Sequence, residues 1–211
     1  KKRFLQGMHF DYVNSEKLIV INQSAKKNKF KSKDKKNIIT FVGKLNKAKG
    51  YDIFGNAVIK VLKKNKNWKS IVIGDEPRDQ LEFKHERLIN LGFVNHEKVL
   101  KIYKKTSIAI VCSRWDEPFG RTSLEASANG CAVIISNKGG LPETITNAII
   151  LKKLNSANLY KEIDNLIKNP RIRSELQKRS HLNFYLTHSH ITKLLDRLRG
   201  EILVSKNIYL K

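Results

Sequence analysis

The 211-residue sequence predicts an α/β fold: a Rossmann-like, doubly wound parallel sheet with helices on both faces and a helical C-terminal segment. Three observations predict it. Short apolar runs alternate with helix-length segments, the pattern of βα units. Most of those runs are continuously apolar, as parallel strands covered on both faces must be. From about residue 155 the strand signals stop and helical patterns follow one another to the end.

The strand candidates, in order, are KLIVIN (17–22), IITFVG (38–43), SIVIG (70–74), INLGFV (89–94), SIAIVCS (107–113), CAVIIS (131–136) and AIIL (148–151). Helical patterns lie between them at about 51–64, 96–105, 121–129 and 142–146. The C-terminal segment divides into SANLYKEIDNLIKN, PRIRSELQKRSHLNFYL and HITKLLDRLRGEIL. Pro170 suits a helical first turn, where its missing N–H costs nothing. Gly200 disfavours an unbroken last helix. Residues 17–189 are read as the Rossmann-like domain, 1–16 as an interdomain segment or domain remnant, and 190–211 as a terminal helix and tail.

Composition narrows the function. Forty-two Lys plus Arg against 19 Asp plus Glu leave a formal charge of +23, and 40 % hydrophobic residues are enough for a packed core. The lysine, asparagine and isoleucine bias is also what an AT-rich genome produces without any binding role. The densest basic run, KKNKFKSKDKK (26–36), holds one Phe and no aromatic ladder, so it reads as a solvated linker rather than a nucleic-acid site. Attraction to an anionic membrane surface fits the charge better, since that needs no defined geometry. No apolar run reaches the roughly 20 residues that span a bilayer. The opening KKRFLQGMHFDYV has no initiator Met and no apolar signal-peptide core, and reads as the start of a piece of a longer chain. Cys112 and Cys131 stand in apolar runs and read as buried hydrophobes in a reducing cytosol. The expected location is the cytoplasm, with the inner face of the plasma membrane as a peripheral variant.

In open α/β sheets ligands sit beyond the carboxyl ends of the strands. Three loops there join a strand to a helical pattern and contain glycine: VGKLNKAKGYD (42–52), SRWDEPFGRTSLEASANG (113–130) and SNKGGLPET (136–144). Free N–H groups and the helix dipole favour an anion at each, and glycine permits close approach. Lys44 and Lys49 in the first loop are placed to neutralise a diphosphate. The middle loop carries two carboxylates, Glu117 and Glu125, with seven residues between. Taken singly, each reads as readily as a solvated or dipole-favoured helix residue.

FVGKLNKAKG, SIVIGDEP with LINLGFVNHEKVLKIYKKTSIAIVCS, EPFGRTSLEASANG and AVIISNKGGLPE stand in an order and spacing that resemble one known family. The chain looks like the C-terminal, donor-binding domain of retaining glycosyltransferases of family 4, one half of the GT-B fold, over about residues 17–203. The resemblance implies that Glu117 contacts hydroxyls of a donor sugar. It implies that the Phe119, Gly120, Arg121 and Thr122 backbone meets the sugar and distal phosphate. Glu125 would accept hydrogen bonds from ribose hydroxyls, and Gly43, Lys44 and Lys49 would hold the diphosphate. Phe93 and Val94, after Gly92, match the region that faces the nucleobase. The family usually has Arg where Lys44 stands, and Lys offers a point charge without the bidentate fork.

The chemistry suits these assignments. Carboxylates accept directed hydrogen bonds from polyols, while lysines and helix N–H groups stabilise a departing diphosphate. The expected activity is sugar transfer from a nucleoside-diphosphate sugar to an acceptor hydroxyl with retention, in cell-envelope glycan, polysaccharide or glycolipid synthesis. The missing N-terminal domain would supply most of the acceptor site, and this half alone would be inactive. No Asp-x-Asp occurs, so neither a metal nor another cofactor is expected. The competing readings are a non-catalytic nucleotide or sugar-phosphate binding module and a basic membrane- or nucleic-acid-binding protein. Glu143 reads evenly as a helix cap or a ligand; Trp115 and Asp116 read as loop-shaping residues. His188 and His190 form no metal site, while His9, His85, His96 and His181 read as surface or packing residues.

Overall fold

The computed structural model describes residues 18–79, 81–145 and 147–205. Six parallel strands form one sheet: β1 (Lys36–Val42), β2 (Lys69–Ile73), β3 (Leu88–Asn90), β4 (Thr106–Val111), β5 (Ala132–Ser136) and β6 (Ile149–Leu151). Their spatial order is β3-β2-β1-β4-β5-β6, the doubly wound arrangement in which the sheet reverses direction at β1 and β4. Crossovers run through α1 (Tyr51–Lys64), α2 (His96–Lys105) and α3 (Arg121–Ala128), and the chain ends in α4 (Ser156–Lys168), α5 (Pro170–Leu182) and α6 (His188–Ser205).

Strand side chains alternate between two apolar layers. Ile39, Phe41, Val72, Ile108, Ile110 and Ile134 meet α1 and α4 on one face. Ile38, Ile71, Ile73, Ala109, Val111 and Ile135 meet α2 and α3 on the other. A third cluster joins Leu124 and Ala128 of α3 to Phe184, Leu186 and Ile191 near α6. Helix α3 is thus covered on both sides, and its residues 123–128 are all buried.

Four expectations are corrected. The run 17–22 is no strand: residues 18–24 have no regular structure, and Ile19 and Val20 are more than half exposed. With no strand beside it, its apolar character has nothing to bury against; the chain first joins structure at the Ala25–Thr187 bridge. Lys17, like segments 1–16 and 206–211, lies outside the described residues. The pattern 142–146 forms only a single 3-10 turn, Leu141–Glu143, rather than an α-helix. The basic run 26–36 is solvated only in part: Lys26, Lys29, Lys31, Lys33 and Lys36 are exposed, but Lys27, Asn28, Phe30 and Lys35 are engaged. Lys27 donates to the carbonyls of Leu182 and Phe184, Asn28 to Asn129, and Lys35 to the carbonyls of Tyr103 and Asn129 at 3.0 and 2.7 Å. Phe30 stacks on His181. These lysines satisfy carbonyl groups at helix ends, where cations are favoured. Helix α6 runs through Gly200 without a break.

The candidate strand 89–94 ends early, at Asn90, because Gly92 turns the chain with φ 60° and its N–H takes Asn90 Oδ1. Both buried cysteines are free, and burial pushes the Cys112 thiol up to about 12. At the strand ends the backbones nearly touch. Gly74 has φ 131°, and a Cβ there would lie 1.9 Å from the Gly43 carbonyl oxygen. We therefore expect Gly74→Ala to cost about 2–4 kcal/mol, by backbone strain and collision. Urea unfolding should show it as a lower midpoint at an unchanged m-value.

Candidate functional site

The site lies where β1, β2 and β4 end. Leaving β1, the chain passes Gly43 and Lys44 and reaches α1 through Gly50, which is left-handed with φ 75° and whose Cβ would sit 2.0 Å from the Cys112 carbonyl oxygen. This contact presses the 44–50 loop against the loop after β4. Ala48 O accepts from the Arg114 and Trp115 N–H groups at 2.8 and 3.1 Å and from the Ser113 hydroxyl. Arg114 closes the seam with a bidentate pair to Asp52 at 2.6 and 2.7 Å and a further bond to Lys47 O.

The second loop is held from behind. Gly139 N–H donates to Asp116 Oδ1 at 3.0 Å, and Gly140 N–H to Glu117 O at 2.7 Å. The third glycine-bearing loop is therefore a support and not an anion cradle: its amides are spent on the loop that carries Glu117. Asp116 shapes that loop, as expected, whereas Trp115 is 61 % exposed. Glu143 stands exposed on the 3-10 turn, with its N–H bonded to Gly140 O.

Two cavities open here. The smaller, of 160 Å³, is lined by Gly43, Lys49, Glu117, Gly120, Arg121 and Thr122, among others. The larger, of 440 Å³, is lined by Gly43, Lys44, Phe93, Val94, Arg121, Thr122 and Glu125, on a floor that includes Val42, Ile73 and Val99. They share Val42, Gly43, Arg121 and Thr122. Of the residues expected at the site, only Phe119 lines neither; its side chain packs against the Leu124 and Phe184 cluster. Gly120 starts α3 with no side-chain cap, so the first-turn amides of that helix face the shared region.

Charges in the site are internally matched. Lys49 Nζ pairs with Glu117 Oε1 at 2.5 Å. Glu125 is 5 % exposed, and its Oε1 accepts from Arg121 Nε and His96 Nε2, each at 2.8 Å. A carboxylate buried on a helix covered on both sides requires such donors. His96 was expected to be a surface or packing residue; it is a surface residue, 55 % exposed, and it also lines the larger cavity from the first position of α2. The signal that could have found it is that position, at a helix start beyond a strand's carboxyl end. Asp75 also lines the larger cavity, and Glu76 an adjoining one. Arg78 holds the Glu76 carboxyl below its ordinary value, with Lys44 adding to the pull. Among the described residues, no three His, Cys, Asp or Glu side chains cluster as metal ligands.

Residues 22–182 match the family model described as glycosyl transferases group 1. The chain belongs to this family. An uncharacterized glycosyltransferase of Methanocaldococcus jannaschii is 36 % identical over 124 residues, covering 55 % of this chain and 31 % of that protein. The lipopolysaccharide core biosynthesis mannosyltransferase LpsB of Rhizobium meliloti is 28 % identical over 121 residues, covering 53 % of this chain and 34 % of that protein. Among solved structures, the C-terminal domain of the group 1 family protein LpcC from Francisella tularensis superposes with a TM-score of 0.61 at 26 % identity, covering 76 % of this chain and 91 % of that one. Anabaena HepE, solved with UDP-glucose, has the same fold, with a TM-score of 0.76 at 18 % identity over 95 % of this chain and 61 % of that one. The chain spans 31 to 48 % of the length of the first four curated relatives. It is a GT-B glycosyltransferase domain that resembles the C-terminal half of such enzymes. No helix among the described residues is long and apolar enough to cross a membrane.

In this glycosyltransferase domain the Asp52–Arg114 seam sets the spacing of the two ligand-facing loops. The hydrogen bonds from Arg114 hold the Asp52 carboxyl below the ordinary 3.8. A depressed folded-state pKa stabilises above the unfolded value, and the contribution is lost as pH falls through the lower folded value. Asp52→Asn should therefore be less stable than the parent near neutral pH, by no more than about 1 kcal/mol for so wet a pair. The gap should close progressively below pH 3.8, as read from urea melts at several pH values.

Proposed function

We propose that this domain binds a nucleoside-diphosphate sugar across the two cavities. The observation that carries the reading is their shared wall: Val42, Gly43, Arg121 and Thr122 line both, with Lys44 on one side and Lys49 on the other. The nucleoside occupies the 440 Å³ cavity, with Glu125 toward the ribose and Phe93 and Val94 toward the base. The diphosphate crosses the shared wall, where glycine permits close approach and uncapped amides of α3 meet its charge. The sugar enters the 160 Å³ cavity, where Glu117 accepts from its hydroxyls.

The reaction is transfer of that sugar to an acceptor hydroxyl with retention of configuration. The bond from the anomeric carbon to the diphosphate oxygen breaks and its electron pair stays on the phosphate. The acceptor oxygen bonds to the same carbon and gives up its proton, for which the departing phosphate oxygen is the nearest base on that face. Lys44, Lys49 and the α3 amides favour the transition state because negative charge grows on the diphosphate as the bond breaks. Glu117 and Glu125 bind hydroxyls and are not the acid/base pair of a glycosidase.

The full enzyme carries a second, N-terminal domain that forms the opposite wall, positions the acceptor and excludes water. Helix α6 is the element that would lead back toward it. Positioning of this kind is worth about 7–11 kcal/mol of barrier, so this half binds donor without turning it over. The acceptor class is a cell-envelope glycan, polysaccharide or glycolipid. The lipopolysaccharide role printed for LpsB supports that class, and the net charge of +23 supports work beside an anionic membrane face.

A nucleoside diphosphate at 100 times its dissociation constant should stabilise the chain by about 2.7 kcal/mol. A screen of nucleoside diphosphates and their sugar conjugates by thermal shift checks this; no shift with any of them at millimolar concentration sinks the reading. Glu117→Ala should leave nucleoside diphosphate affinity nearly intact and weaken the gain contributed by the sugar. Glu125→Ala should weaken both ligands by about 1–3 kcal/mol. Calorimetry with each pair of ligands separates the two roles, and equal losses throughout would refute the division.

A further inference from the structure

Glu125 is gripped by one oxygen only. His96 Nε2 and Arg121 Nε both lie 2.8 Å from Oε1, and among the described residues no group donates to Oε2. A carboxylate oxygen has two lone pairs, so Oε1 is filled by these donors while Oε2 keeps its full accepting capacity. A carboxylate only accepts, so His96 Nε2 must carry the hydrogen. The two donors come from different elements. Arg121 is one turn before Glu125 on α3, 62 % exposed, on a long side chain that also lines the smaller cavity. His96 is about as exposed, at 55 %, but its side chain is short, and the start of α2 that bears it is fixed by the Asn95 side chain, which caps Lys98 N–H at 2.9 Å.

The geometry points to His96 as a positioning residue that sets the domain's preference for ribose. By pinning Oε1 from across the cavity, His96 holds the Glu125 carboxylate in the orientation that turns Oε2 toward the ribose hydroxyls. It does this through the carboxylate, so its effect is largest for ligands that have those hydroxyls. The inference rests on the assignment of the ribose to Glu125 and adds to it the group that orients the carboxylate. Arg121 cannot substitute fully, because a guanidinium beside the diphosphate path is drawn toward the incoming phosphates, and a donor fixed on another element remains.

The test measures a ratio. UDP, GDP and ADP, each beside its 2′,3′-dideoxy analogue, are titrated by calorimetry into the parent chain and into His96→Ala, His96→Gln, Glu125→Ala and the His96→Ala/Glu125→Ala double variant. For the nucleotide that binds, His96→Ala should lower the ribo-over-dideoxy preference about fivefold, with a smaller loss for the dideoxy ligand than for the ribo ligand. His96→Gln, whose amide can still donate, should retain most of the preference. Glu125→Ala should abolish it, and His96→Ala should add nothing in that background. Where His96→Ala fails to fold, His96→Phe keeps the ring volume without the donor. Equal losses for ribo and dideoxy ligands in the His96 variants would reduce His96 to a structural role and overturn the inference. So would an unchanged preference in His96→Ala while Glu125→Ala removes it. A preference that survives Glu125→Ala overturns the ribose assignment itself, a failure distinct from that of His96.

Discussion

The site depends on backbone meeting backbone at the carboxyl ends of the strands. Gly74 approaches the carbonyl of Gly43, and Gly50 that of Cys112, so closely that any side chain would collide. These two contacts bring the loops after β1, β2 and β4 to a common edge. The first ends of the loops then have no room for side chains, and a groove remains in which amides and short polar groups are the exposed chemistry. An anionic ligand with a narrow waist fits such a groove better than a bulky one, since glycine admits its oxygens to the backbone. The same closeness explains the polar stitching around it. Ala48 O, Asp52 and Lys47 O take up Arg114 and its neighbours because loops held at this distance cannot leave their polar groups to water.

Both glutamates of the site are paired, which bears on how a ligand enters. Glu125 is buried by the packing of α3 between the sheet and the Phe184, Leu186 and Ile191 cluster. A carboxylate in that position is tolerable because two donors hold it. Glu117 and Lys49 neutralise each other at the other end. A phosphate arriving beside Lys49 therefore competes with Glu117 for the ammonium group, and a sugar hydroxyl offered to Glu117 offsets what that carboxylate gives up. In the proposed binding mode phosphate and sugar would therefore favour each other's binding through one ion pair, a physical reason for a donor to be held better than its separate parts.

The fold was legible wherever an apolar run lay deep in the sheet. IITFVG, SIVIG, SIAIVCS and CAVIIS became β1, β2, β4 and β5 because each is covered on both faces, and burial on both faces is what a continuous run encodes. KLIVIN has the same composition but no neighbouring strand to pair with, and composition cannot report a missing neighbour. The pattern at 142–146 yielded one 3-10 turn because the short connection to β6 leaves no span for a helix. Lys27 and Lys35 read as solvated because their partners are carbonyl groups at helix ends far along the chain, such as Leu182 O and Asn129 O. Cavity-lining residues were legible where family motifs carried them, in GKLNKAKG and EPFGRTSLEASANG, Phe119 excepted. His96 was not, since its meaning lies in one hydrogen bond to a residue 29 positions away on another helix. The amides of Gly139 and Gly140 resembled a phosphate loop for the same reason: only the folded chain shows that Asp116 and Glu117 have already taken them.

The central claim is that a nucleoside diphosphate lies across the shared wall of the two cavities, and a crystal structure of the chain with a bound nucleoside diphosphate tests it most directly. The account predicts phosphate density between Lys44 and Lys49, against the first turn of α3, with ribose hydroxyls on Glu125 Oε2 and the base beside Phe93 and Val94. Nucleotide density elsewhere, for example in the basic hollow lined by Lys29, Phe30, Lys31 and Lys104 beneath the sheet, with the groove between Gly43 and Arg121 left open, would contradict it.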